Sequence, residues 1–248
     1  MKSLLTLLLL LPFTFLSAQV EVNNGSWFGW SGDRVRGNGE VITDSRDLDG
    51  FTGVDACCSF EIKIAQGDFE VRVEAESNLQ EFIETRVSGK TLHIKYTDKA
   101  NFKSTAPIVV YVSLPELELI DASSSSNITG TTPFTGDELT LDVSSSADIT
   151  LTYTGKRVDI DASSSGRIDL KGKTGRIRAE ASSAGNVDAS DLQSDEAVAD
   201  VSSGARIEVN VKNSLRADAS SGGSVEYGGS PSDVVTDTSS GGRVRSRN

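Results

Sequence analysis

Asp142-Val143-Ser144-Ser145-Ser146-Ala147-Asp148-Ile149 returns nineteen residues later as Asp161-Ala162-Ser163-Ser164-Ser165-Gly166-Arg167-Ile168. The same phrase runs upstream and downstream: an acid, a small apolar residue, two or more serines or glycines, then Ile or Val. Its copies begin at Asp121, Asp142, Asp161, Glu180, Asp200, Asp218 and Asp237, spaced by 21, 19, 19, 20, 18 and 19 residues. A near-constant period of this length is the mark of a repeat architecture. Within each copy the apolar residues alternate on both sides of the serines, as at Val158 and Ile160, then Ile168 and Leu170. Period two is a strand signal, and Ser-Ser-Gly runs are turn chemistry. One such coil cannot bury its apolar face alone, whereas stacked coils can. The fold we expect is all-β: a parallel β-helix, that is a β-solenoid, right-handed, built of ~19-residue coils ~4.8 Å apart. The inward ladder before the acids reads Ile120, Leu141, Ile160, Ala179, Ala199, Ala217, Thr236, and the one after them Ala122, Val143, Ala162, Ala181, Val201, Ala219, Thr238. Such small side chains predict a coil too thin for aromatic rings.

Outward from the repeat the pattern loosens. Asp55-Ala56-Cys57-Cys58-Ser59-Phe60-Glu61-Ile62 reads as a degenerate copy, and Glu74-Ala75 as the start of another. Residues 92–96 and 108–114 alternate as strands, and residues 97–106 read as an inserted loop. The organisation expected is a signal peptide over 1–18, a Gly- and aromatic-rich leader or N-terminal cap over 19–40, and the solenoid domain over 41–248. Lys2, the apolar run Leu4–Leu16 and the small pair Ser17-Ala18 carry the signal-peptide reading. The run is shorter than the ~20 apolar residues of a membrane helix. We therefore expect export to periplasm, outer surface or medium, without membrane insertion after cleavage.

Composition narrows function by exclusion. The 248 residues hold 24 Lys+Arg against 36 Asp+Glu, a net charge of −12. That opposes nucleic-acid binding, which needs a basic footprint. A single His and two Cys leave no set for common zinc or haem sites, and no cofactor is expected. No G-x-S-x-G elbow accompanies any serine, so none is read as a nucleophile.

The stacked Ser-Ser-Gly phrases resemble the head-GIN domain of the auto-transporter adhesin family. So do Gly37-Asn38-Gly39-Glu40-Val41 through Arg46 and Phe51, the stretch Phe60–Gly67 and the segment Pro115–Asp121. The resemblance spans roughly residues 35–245, with Ser where the family often opens its phrase with Gly. It implies a pectin-lyase-like β-helix in secreted or surface proteins of Bacteroidetes-like bacteria, with adhesion as the role. It transfers no catalytic residue.

The repeated acids Asp121, Asp142, Asp161, Glu180, Asp200, Asp218 and Asp237 face outward by parity. Stacking would bring like charges ~5 Å apart. The preferred remedy is an Asx-type turn, each acid accepting from the N–H groups of the serines after it. Basic neighbours such as Arg178 and Arg216 are a second remedy, and bridging Ca²⁺ a third. The Ca²⁺-binding nonapeptide repeat is absent, and no metal is assigned. Trp27 and Trp30, beside Phe28, are the ligand-binding candidates; they suit a terminal cap equally well. His93 is expected to face solvent alone. Neighbouring Cα atoms lie 3.80 Å apart and ordinary disulfides span 4.4–6.8 Å, so Cys57 and Cys58 read as two thiols at a strand edge, one facing inward, with a strained vicinal bridge as the alternative.

The function read from these features is a secreted, non-catalytic β-helix module. It is adhesive toward a glycan or cell-surface protein, or structural. The alternative is a lyase-like carbohydrate-active enzyme on the same scaffold. Unpaired edges at the solenoid ends predict end-to-end self-association.

Overall fold

The computed structural model describes residues 34–247; residues 1–18, read above as a signal peptide, and Trp27 and Trp30 lie outside them. From Asp121 onward the copies stack in parallel and in register. Asp121 pairs with Asp142, Asp142 with Asp161, Asp161 with Glu180, Glu180 with Asp200, Asp200 with Asp218 and Asp218 with Asp237. Both inward ladders are buried as far as the terminal coil, where Thr236 and Thr238 are exposed.

Through the middle coils, from Asp148 to Ala219, the strand does not break between corners, whereas in the coils on either side it is interrupted. Asp148–Ala162 and Arg167–Ala181 each run 15 residues as one bent strand, so a coil is a long strand plus a four-residue corner. The 16-residue strand Asn186–Val201 carries a longer coil, and register shifts near Ala189 and Ser194 absorb the excess. Bulges of this kind insert a residue without breaking the stack.

From Ser123 onward the corner has one geometry. Its second and third residues have positive φ, as at Ser164 (48°) and Ser165 (65°), or Ser221 (47°) and Gly222 (77°). The fourth residue donates its N–H to the carbonyl of the first, as Gly166 does to Ser163 at 2.8 Å. Two left-handed residues closed by this bond make a type I′ turn. The first residue donates back to the coil before, Ser163 N–H to Val143 O at 2.9 Å, and the third donates forward, Ser165 N–H to Ser183 O at 3.1 Å. Each corner is thus bonded to both neighbours.

At the N-terminal end the order in space departs from the order in sequence. Gly53–Ala56 and Glu61–Gln66 form the Asp55 coil. On one side it pairs with Leu119–Ala122 and Asn127–Gly130, on the other with Thr91–Tyr96 and Val109–Leu114. The first coil in sequence is therefore the second in the stack. The expectation of another coil at Glu74 is corrected: Glu70–Glu76 runs antiparallel to Val109–Leu114 and to Val41–Arg46. With Ile83–Ser88, antiparallel to Thr91–Tyr96, these strands cover the edge of the first parallel coil. Solenoids need such a terminal element.

Rings do fit the coil. Tyr153, Phe134, Phe51 and Phe60 are all buried. Gly172 and Gly155 open the space around Tyr153: a Cβ at either would fall within 2.5 Å of Tyr153 atoms.

Candidate functional site: the acid and serine face

The acids project from a strand whose intervening residues are buried, and the first serine of each corner lies on the same side. Together they line a groove of about 310 Å³ bounded by Asp161, Glu180, Asp200, Asp218 and Asp237 and by serines such as Ser182 and Ser202. The serines do not cap the acids as expected. Their N–H groups are taken by carbonyls of the preceding coil, Ser182 by Ala162 and Ser202 by Ala181. Basic neighbours supply part of the compensation: Arg178 pairs with Glu180, and Arg216 with Asp218 at 3.0 Å. Among the described residues no group of three or more His, Cys, Asp or Glu is placed to hold a metal ion.

What remains uncompensated appears as raised carboxyl pKa values. Burial pushes Asp142 up, and its like-charged neighbours Asp121 and Asp161 add to it. Asp121 is raised by burial and Asp55, and Asp200 by burial, Asp218 and Glu180.

His93 is not alone. It stands in register with Asp55, one coil away, and its Nδ1 lies 2.6 Å from Asp55 Oδ2. The degenerate copy at Asp55 was visible in the sequence; its spatial neighbour, 38 residues on, was not. Cys57 and Cys58 are joined by a disulfide, with Cα atoms 3.7 Å apart. This corrects the free-thiol expectation: Cys58 occupies the left-handed corner position (φ 71°), which brings neighbouring sulfurs together where an extended strand holds them apart.

A carboxylate missed by the sequence reading sits in the N-terminal cap. Glu76 is fully buried. It accepts from Thr105 Oγ1 (2.5 Å), Thr105 N (2.8 Å), Ser104 Oγ (2.9 Å) and Gly39 N (2.7 Å). These donors, Thr105 first, outweigh burial and hold its pKa at about 2. The carboxylate thus ties the 97–106 loop to the entry segment, and nothing in the sequence pattern marked it out.

The two sets of carboxyls have opposite pH dependence. A lowered pKa gives stability that is complete above the ordinary carboxylate range and lost as pH falls toward about 2, which is Glu76. A raised pKa is a penalty on the charged fold that disappears as pH falls, which is the ladder. Thermal stability is therefore expected to rise from neutral toward mildly acidic pH, then fall as Glu76 protonates. Asp142→Asn removes two like-charge contacts, together about 1 kcal/mol, or about 2–4 °C in a domain of this size. It should raise Tm at pH 7 by that amount and flatten the acid-side rise. A Tm that only falls from pH 7 downward, or an unchanged Tm in the variant, refutes the ladder penalty.

A family model described as "Putative auto-transporter adhesin, head GIN domain" matches residues 50–231. Solved structures share the fold. One of a "putative adhesin" from Bacteroides fragilis NCTC 9343 has a TM-score of 0.79 at 17% identity, covering 86% of this chain and 99% of its own. One of a "putative adhesin" from Parabacteroides merdae ATCC 43184 has a TM-score of 0.72 at 18% identity, covering 88% and 100%. A third, described as a "putative lipid binding protein" from Parabacteroides distasonis ATCC 8503, has a TM-score of 0.69 at 18% identity, covering 87% and 100%. No curated protein matches the chain.

Proposed function

Since the chain belongs to the head GIN domain family of auto-transporter adhesins, we propose that it is an exported, non-catalytic adhesive module binding an extended glycan along its acid and serine face. The observation that carries this reading is the groove itself, in which carboxylates and serine hydroxyls recur once per coil. A periodic surface suits a periodic ligand. Serine hydroxyls donate and accept, carboxylates accept, and sugar hydroxyls match both. Stacked negative charge disfavours anionic polysaccharides, which points to neutral or cationic ones.

A glycan array probed with the purified chain tests it. Binding to one class of neutral or cationic glycan is expected, weakened at least tenfold in Asp200→Asn/Asp218→Asn. Binding that survives this double substitution removes the groove from the proposal, and no binding on the array shifts it to a protein partner. A parallel arm in EDTA reports whether a cation bridges the acids. The exposed Val234 and Val235 on Asp233–Thr238 support end-to-end contact between copies, which sedimentation over a hundredfold dilution reads as a concentration-dependent mass.

A further inference from the structure

The Asp55 coil shares the left-handed corner positions of the others, at Cys58 and Ser59, and the forward bond, Ser59 N–H donating to Ser124 O at 3.0 Å. Elsewhere Ser-Ser, Ser-Ala or Ser-Gly makes this turn, so the turn does not require a cross-link. Nor does the bridge staple the chain. A disulfide closing a 15-residue loop contributes ~3 kcal/mol by restricting the unfolded state, but adjacent residues close no such loop. The bridge is therefore dispensable to the fold, and its surroundings are what distinguish it.

Cys57 lines a cleft of about 250 Å³ together with Asp55, Arg86, His93, Ile94 and Lys95. Both cysteines are half-buried, and Cys58 packs against the core. Arg86 and Lys95 bring positive charge to the cleft; both are paired with Glu84, at 3.3 and 3.9 Å, and Asp55 holds the imidazole. Thiolates are the nucleophiles of disulfide exchange, and cationic neighbours favour them.

We propose that the Cys57–Cys58 bridge, opening onto the cleft of Arg86, His93 and Lys95, is an exchange site through which the protein captures a thiol-bearing partner as a mixed disulfide. The partner's thiolate attacks Cys57 Sγ. A sulfur–sulfur bond to the partner forms, the Cys57–Cys58 bond breaks, and Cys58 leaves with the electron pair and takes a proton from water. The bridge is itself the oxidant, so no other is needed. Attack by the Cys58 thiolate on the mixed disulfide reverses the capture. Cys57 is the member attacked because it faces the cleft.

The test exposes the native, full-length protein to reduced glutathione, and in parallel to a peptide with one cysteine, with acid quenching and intact-mass analysis. At millimolar thiol the expected products are a mixed disulfide mapped to Cys57 and a two-thiol form, with the circular dichroism unchanged. Arg86→Gln/Lys95→Gln should slow opening about tenfold, the lower end of electrostatic rate effects. Cys57→Ser/Cys58→Ser, which installs the serine pair of the other coils, should fold normally and give no adduct. Reaction with glutathione alone assigns the site to small thiols, with the peptide alone to protein partners. The proposal is overturned if the bridge opens only on denaturation, if the adduct maps to Cys58, if charge removal leaves the rate unchanged, or if the isolated protein carries two free thiols.

Discussion

Tyr153→Ala is expected to destabilise the protein by about 4 kcal/mol, whereas Tyr153→Phe should leave stability unchanged or raise it by about 1 kcal/mol. The ring is fully buried and stands between Phe134 of one coil and Gly172 of the next. Gly155 lies against the side chain, and a Cβ on it would fall 2.4 Å from the Tyr153 hydroxyl and 2.5 Å from the ring. The coil is thus shaped around this ring, with little freedom to collapse into the space that Ala would leave. The hydroxyl differs from the ring. It is buried and has no hydrogen-bond partner among the described residues. Burial, with Asp137, Glu138 and Glu116 nearby, pushes its pKa to about 12, so it stays a neutral phenol. An unpartnered buried hydroxyl costs about 1–3 kcal/mol in lost hydration, which Phe recovers in part. Urea titrations of the three proteins decide the matter. A Phe variant less stable by more than 1 kcal/mol would show that the hydroxyl is satisfied after all; an Ala variant costing less than 2 would show that the coil closes over the gap.

The repeat made most of the parallel stack legible before any coordinates, because an in-register ladder copies one set of environments from coil to coil. Asp142 over Asp161 and Ile120 over Leu141 follow from spacing alone. Three features were hidden for separate physical reasons. The placement of Thr91–Tyr96 beside Gly53–Ala56 depends on pairing across an excursion that builds the end cap, and a local pattern carries no information about which edge a returning strand joins. Tyr153 and Phe134 lie on a wall away from the acid-flanking ladders, where the glycines that admit them are scattered and unlike the corner glycines. The capping of acids by serine N–H groups fails because those donors have a better use, closing bonds to the preceding coil; an isolated turn would have them free, a stacked one does not. Of the site, the acid and serine lines were legible. The His93–Asp55 contact, the bridge and Glu76 were not, since each depends on the non-repeating end.

Ser164→Val should cost about 2 kcal/mol, although the side chain is exposed and its hydroxyl makes no bond that the corner needs. The cause is the backbone. Ser164 holds φ 48°, a left-handed conformation that costs an L-residue about 1–2 kcal/mol, with β-branched residues at or beyond the upper end. Ser163→Val is the control one residue earlier. Ser163 is not among the positive-φ residues, and the same substitution there should change stability by less than about 0.5 kcal/mol, the usual range at a surface position. Ser164→Gly relieves about 1–2 kcal/mol of left-handed strain and adds freedom to the unfolded chain worth about 0.4–1 kcal/mol, so the net falls between no change and a gain of about 1.5 kcal/mol. That balance bears on function. If Gly is at least as stable as Ser at this position, folding alone does not select Ser, yet Ser stands there at 124, 145, 164, 183, 203, 221 and 240. The exposed line of hydroxyls is then a property of the surface and not of the turn. A Ser164→Gly variant without loss of stability but with weakened ligand binding would extend the binding face from the first serines of the corners, which line the groove, to this second line. Equal losses from Val at 163 and 164 would instead mean that the left-handed corner does not govern residue choice.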